Sequence, residues 1–300
     1  MTEPRAHGTD TLTSERPTDA LQFALVILVL YLGVTAGILV RCCATQTQYG
    51  ILVVHLAALA LVLLAWRHAL PATLRCWAPL LVGPLLYVEL RWLIPAVGRP
   101  HADALVALWE HATFPSDPSR TLATRWDSRL LSELLHTAYV SYYAVIYVPP
   151  ALLWLRGRRS AYASTVTALI VVYASCFTTY LLFPVDGPRF SIGPARAPDG
   201  PVRAFVIALL HAGSSRGSAF PSSHVAAAVV ASICALRFTR RTGLVVSALT
   251  VGIALGAVYG GYHYAIDTVA GAMTGCLCAG LAYCLERLAQ RRQLSVTAPH

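Results

Sequence analysis

The chain contains no lysine. All 23 basic residues are arginine, so any cationic site must be built from guanidinium groups. Charge of either sign is scarce: charged residues make up 12% of the chain, where a soluble domain carries roughly 25%. A soluble fold of 300 residues cannot cover its surface with so few charges. That excludes a soluble enzyme, a disordered chain and a nucleic-acid-binding module. A disulfide framework is also lacking, although there are eight cysteines. Cys176, Cys234, Cys276, Cys278 and Cys284 lie inside apolar runs and read as small hydrophobes. Cys42 and Cys43 are adjacent and poorly placed to bridge one another. No Cys/His spacing resembles a zinc site, and no internal repeat or low-complexity segment is visible.

What the chain does have is apolar length. Hydrophobic residues make up 56% and the mean hydropathy is +0.59. Apolar runs long enough to span a bilayer, or nearly so, occur at about Ala20–Val40, Ile51–Trp66, Trp77–Val97, Leu130–Leu155, Ala161–Phe183, Ser222–Leu236, Gly243–Gly260 and Tyr262–Leu285. The expected fold is an all-α integral membrane protein of about eight transmembrane helices, the sixth being the shortest. The first run is too long for a signal-peptide core and reads as an uncleaved anchor. The formal charge of +9 is distributed accordingly. Arg67, Arg75, Arg156, Arg158, Arg159, Arg237, Arg240, Arg241, Arg287, Arg291 and Arg292 fall on one side of an eight-span chain, in short connections. The positive-inside rule places that side, and with it both termini, in the cytoplasm of a multi-pass cell-membrane protein. The long loops at about 98–129 and 184–220 then face outward. Within them His101–Phe114 and Val202–His211 have helix-compatible apolar spacing, suited either to the outer membrane surface or to packing on the bundle.

Three polar stretches mark the ends of apolar runs on the outer side. The third, Tyr262 to Asp267, carries His263 and Asp267 four residues apart, on one face of a helix. A carboxylate on one imidazole nitrogen leaves the other free as a nucleophile. Asp267 lies a turn inside an apolar span, where an ionisable group is expensive. The second stretch, Ser215 to His224, ends in Pro221-Ser222-Ser223-His224. Ser222 or Ser223 can cap the following helix, whose free N–H groups offer an anion site. His224 is placed to donate a proton to a leaving group. In the first stretch, Phe183 to Phe190, Arg189 suits phosphate oxygens, and Arg216 is a second candidate. Each feature alone has a plainer explanation, as a cap, a satisfied polar pair or an interfacial arginine. Together they point to phosphoryl transfer.

The stretches FPVDGPRF, AFPSSHVAA and YHYAIDTVAG resemble the three signature motifs of the type 2 phosphatidic acid phosphatase superfamily, in particular its branch related to inositol phosphorylceramide synthases. The resemblance covers about Leu130 to Leu285. It implies a catalytic bundle of six helices, here residues 77–287, preceded by two additional helices at 20–76. Residues 1–19, polar and with prolines and both charge signs, read as a disordered tail, cytoplasmic by the charge rule like the tail at 288–300. The resemblance also implies His263 as a phosphohistidine-forming nucleophile, Asp267 as its orienting partner and His224 as the acid. Arg189, Arg216, Ser222 and Ser223 are the expected phosphate-binding residues, with no metal and no other cofactor. Two family cations are missing: the first-motif lysine falls on Leu182 and the third-motif arginine on Ala257. The expected activity is hydrolysis of a lipid phosphate or diphosphate at the outer face. The alternatives are a lipid phosphotransferase with a hydroxyl acceptor and, less favoured, a transporter or inactive relative.

Overall fold

The computed structural model describes residues 19–42, 46–193 and 195–297. The expected tail at 1–19 lies outside them apart from Asp19, as does Cys43. In lipid, backbone N–H and C=O groups have only one another as partners, so long apolar runs become helices. The chain forms α1 (Asp19–Cys42), α2 (Gln46–Trp66), α3 (Ala72–Val97), α4 (Asp103–Thr113), α5 (Pro118–Arg125), α6 (Arg129–Val140), α7 (Tyr142–Leu155), α8 (Arg159–Leu182), α9 (Pro188–Ser191), α10 (Pro201–Gly213), α11 (Ser223–Phe238), α12 (Arg240–Tyr259) and α13 (Ala265–Thr297). The two loop helices expected from apolar spacing are α4 and α10.

Six helices, α1, α2, α3, α8, α12 and α13, are long and apolar enough to cross a membrane, so this is a multi-pass membrane protein. The run at Leu130–Leu155 is not one straight span. It is α6 and α7, set at 41° to each other across Ser141, whose hydroxyl bonds back to the Ala138 carbonyl at 2.6 Å. The run at Ser222–Leu236 is α11, a 16-residue helix. Its length of about 24 Å is short of a typical hydrocarbon core. Among the described residues the chain thus has six helices long enough to span, a bent pair that together is long enough for a seventh, and two shorter apolar helices, α10 and α11.

The helices alternate in direction. Gln22, near the start of α1, meets His68 in the turn after α2 at 3.0 Å, and Arg158 donates to the Phe238 carbonyl at the end of α11. The arginine-rich turns therefore share one end of the bundle with the start of α1. The opposite end carries α4, α5, α9 and α10 and all three polar stretches.

The central helix is α8. Ala161 to Val172 are buried around its whole circumference, and it packs against α1, α3, α7, α11 and α13. Its Ser164, Thr165, Ser175 and Thr179 hydroxyls bond back to carbonyls four residues earlier, so they cost little in an apolar surround. Small residues bring α11 and α13 close, as is common between helices in lipid. A Cβ on Gly271 would lie 2.5 Å from the Ser222 carbonyl, and one on Gly275 would lie 2.6 Å from that of Ala226. This contact sets the distance between the second and third polar stretches.

α1 and α2 dock on α3 through a buried polar knot. Nδ1 of His55 in α2 lies 2.7 Å from Glu89 Oε2 in α3, and its Nε2 lies 2.9 Å from the Leu32 carbonyl in α1. Both His55 and Glu89 are fully buried. Glu89 therefore has a partner on a neighbouring helix, while Arg91, two residues on, donates to the Ala212 and Ser214 carbonyls at the end of α10.

Candidate active site

The three stretches are joined by their backbones before any side chain is considered. Val185 donates to the Gly217 carbonyl at 3.2 Å, and Ala219 donates back to Val185 at 2.9 Å, an isolated bridge between the first and second stretches. The Ser222 N–H donates to the Asp267 carbonyl at 3.0 Å and joins the second to the third. Tyr180, at the end of α8, fixes the turn into α11: its hydroxyl donates to the Pro221 carbonyl at 2.7 Å and accepts the Ser223 N–H at 3.0 Å. Gly187 has φ +86°, and a Cβ there would meet Ala219 at 2.9 Å, so only glycine fits where these loops cross.

His263 and Asp267 meet, though not on a helix face. His263 lies in the turn between α12 and α13, before the helix begins at Ala265. The Asp267 carboxylate folds back over that turn: Oδ2 accepts the Tyr264 N–H at 2.8 Å and lies 3.4 Å from His263 Nδ1. That distance is a polar contact longer than a good hydrogen bond. Burial holds the His263 imidazole below its ordinary value, to about 4, which keeps the ring neutral.

His224 is in the first turn of α11, its ring centroid 6.3 Å from that of His263. Three tyrosines box it in. Tyr142 lies 4.4 Å away, Tyr139 stacks on it at 5.4 Å, and Tyr87 stands edge-on at 6.1 Å. His224, His263, Arg189 and Tyr262 line one small cavity of about 30 Å³. Arg189 donates to Ser214 Oγ at 2.6 Å and passes 4.4 Å from the Phe190 ring. The Tyr262 hydroxyl is buried without a hydrogen-bond partner.

The expected phosphate-binding residues are in different situations. Arg189 is at the cavity. Ser222 Oγ caps α11 by accepting the Val225 N–H at 3.4 Å and is fully buried, and neither Ser222 nor Ser223 lines the small cavity. Arg216 is mostly exposed and clasps Asp186 Oδ2 through Nε and Nη2, which raises its already high pKa. The two positions without a cation offer nothing in exchange. Leu182 is exposed on the outside of the bundle, and Ala257 is buried.

Two larger spaces flank the cavity, divided by Leu210 and Ser214 at the end of α10. One is an apolar groove of about 310 Å³ between α3, α7, α8 and α10, with His224 at its end. The other is a chamber of about 630 Å³ lined by Arg91, Arg189, Arg203, Arg216 and His211, and by no acidic residue. Sequence reasoning missed the contribution of Arg91 and Arg203. Each looks like an ordinary interfacial arginine until α10 is folded over the site. It also missed the tyrosine box, for which the run Tyr139, Tyr142, Tyr143, Tyr147 is a visible signal.

Among the described residues, one group has metal-ligand proximity: His101, Asp103 and Asp186, with ligand atoms within 4.8 Å of one another. Its oxygens are largely occupied. Both Asp103 oxygens accept backbone N–H groups, Asp186 Oδ2 takes Arg216, and Asp186 Oδ1 lies 2.8 Å from His101 Nδ1.

No curated protein and no solved structure is significantly similar to the chain. A family model described as PAP2 superfamily matches residues 104–281, a segment that begins in α4, ends in α13 and contains all three polar stretches. The chain belongs to the PAP2 superfamily, whose members are phosphatases and related phosphotransferases.

Proposed function

We propose that this protein is a membrane phosphatase that hydrolyses a lipid phosphate or diphosphate through a phosphohistidine, on the outer face of a membrane crossed eight times with both termini inside. α11 is the short eighth crossing. The observation that carries this reading is the placing of His263, His224 and Arg189 on one small cavity at the end of an apolar groove. The groove suits a lipid tail, and the cavity suits the phosphate at its head.

In this reading the neutral His263 attacks phosphorus through Nε2 while Asp267 supports the charge that develops on the ring. The bond from phosphorus to the lipid oxygen breaks, and His224 gives that oxygen its proton. His224 then takes a proton from water, whose oxygen attacks the phosphohistidine and releases phosphate and free His263. Arg189 stabilises the equatorial oxygens. Arg216 acts through Asp186 and the loop that carries Arg189, and it lends its charge to the chamber.

A second reading, transfer to a hydroxyl acceptor, is favoured by one observation. A chamber of about 630 Å³ bordered by four guanidinium groups is more than a bare phosphate requires. Purified protein offered a panel of lipid phosphates and diphosphates, with released phosphate measured, tests the first reading. Phosphorylated product that appears only when a hydroxyl acceptor is added supports the second. Turnover with no member of the panel, with or without acceptor, contradicts both.

A further inference from the structure

The surface helix α4 contributes no residue to the three motifs and none to the small cavity, yet both its carboxylates reach the segments that build the site. Asp103, in its first turn, accepts the Gly187 N–H on Oδ1 and the Asp186 N–H on Oδ2, each at 3.0 Å. Those residues lead directly into α9 and Arg189. Glu110, seven residues later on the same face, is 1% exposed and accepts the Ala265 N–H at 3.1 Å and the Ile266 N–H at 2.8 Å. Ala265 and Ile266 open α13, where backbone N–H groups lack helical partners, and they lie between His263 and Asp267. Between the two acids, Val106 is fully buried in an apolar cluster with Val185, Ala219 and Tyr264, one residue from each polar stretch.

All four carboxylate oxygens on one face of a single helix are thus committed to the backbone on either side of the cavity. We infer that α4 is a positioning clamp, with Asp103 and Glu110 as positioning residues that hold the Arg189 segment in register with the His263–Asp267 pair. The inference rests on the phosphohistidine mechanism proposed above for the meaning of "register". The contacts themselves do not depend on that mechanism. Carboxylates serve here because each offers two acceptors to two adjacent N–H groups, and the positive end of α13 favours a negative charge.

The test separates misplaced sites from lost ones. Rapid quench with ³²P-labelled phosphatidic acid in mixed micelles gives a burst amplitude that counts competent sites and a rate constant that reads their geometry. Asp103→Ala and Glu110→Ala should keep the wild-type amplitude per folded protein while phosphorylation slows about 10- to 100-fold, the scale of an ångström-level misplacement. KM should change less than the phosphorylation rate, because the groove that holds the lipid tail is untouched. Asp103→Asn and Glu110→Gln keep one acceptor oxygen each and should recover part of the rate. Amplitude that falls in step with activity, or a full amplitude at a near wild-type rate, overturns the clamp. If wild-type protein forms no phosphoenzyme, the proposed mechanism fails by itself and hydrogen exchange decides the clamp. Amides 186–187 and 265–266 should lose protection in the alanine variants while those of α8 keep it. Unchanged protection at those four amides contradicts the clamp.

Discussion

His263 and His224 face the same cavity from different backbones, and their different surroundings give them different work. His263 has a carboxylate behind it and a guanidinium nearby, whereas His224 has tyrosine rings and the end of an apolar groove. Asp267→Asn keeps the bulk of the orienting partner and removes its charge. Turnover should fall on the order of 10³–10⁴, by analogy with other carboxylate-oriented histidines. His224→Ala should be severe with a lipid alkoxide leaving group and much milder with p-nitrophenyl phosphate, whose leaving group needs little protonation. Equal losses on both substrates would remove His224 from the acid role. Burial lowers the folded pKa of His263 to about 4, so its neutral, nucleophilic form is present above that pH and is lost as pH falls through it. Histidine ring resonances, assigned through His263→Ala and titrated by NMR, should show this ring protonating well below the ordinary value of about 6.5. A midpoint at the ordinary value would mean that water reaches the ring freely.

At the scale of elements, the apolar runs and the three polar stretches were legible in the sequence because each is a local pattern. Run length gives a span, and a serine before an apolar run gives a helix cap, which Ser222 provides. Contacts between distant elements were not legible. The fourth run bends by 41° at Ser141, a geometry that no local periodicity announces. Asp267 reaches His263 by folding over a turn, although the i, i+4 spacing implies a shared helix face. Arg216 has the chemistry of a phosphate ligand, and its Asp186 partner, 30 residues away, is a contact that local sequence does not show. Glu89 is a carboxylate in an apolar span, and its partner His55, 34 residues away on α2, is not visible from local sequence. Removing one partner of a buried pair leaves the other uncompensated, so Glu89→Ala should cost about 3–5 kcal/mol of stability. The double change His55→Leu with Glu89→Leu should cost much less. Unfolding midpoints in detergent check this, and a single variant as stable as wild type would mean that the knot does not hold α1 and α2 to α3.

Over the whole molecule, net charge differs by end. The short turns at the end that holds the start of α1 carry arginine with few acids, whereas the end with the cavity, the groove mouth and α4 sets its arginines against Asp103, Glu110, Asp117, Asp127, Glu133, Asp186 and Asp199. By the positive-inside rule, a cysteine placed after Arg158 should react with a membrane-impermeant reagent only after the cell is opened. Labelling from outside in intact cells would invert the topology and move the site to the cytoplasmic face. The central claim, that one end of this bundle performs covalent phosphoryl transfer on His263, has a direct measurement. Protein mixed with ³²P-labelled lipid phosphate under single-turnover conditions and quenched on the millisecond scale should carry base-stable, acid-labile label. His263→Ala, once its elution profile in detergent matches that of wild type, should carry none. Label retained on His263→Ala, or absent from wild type while lipid phosphate is being turned over, would contradict a phosphohistidine at this residue and leave direct attack by water or a hydroxyl acceptor.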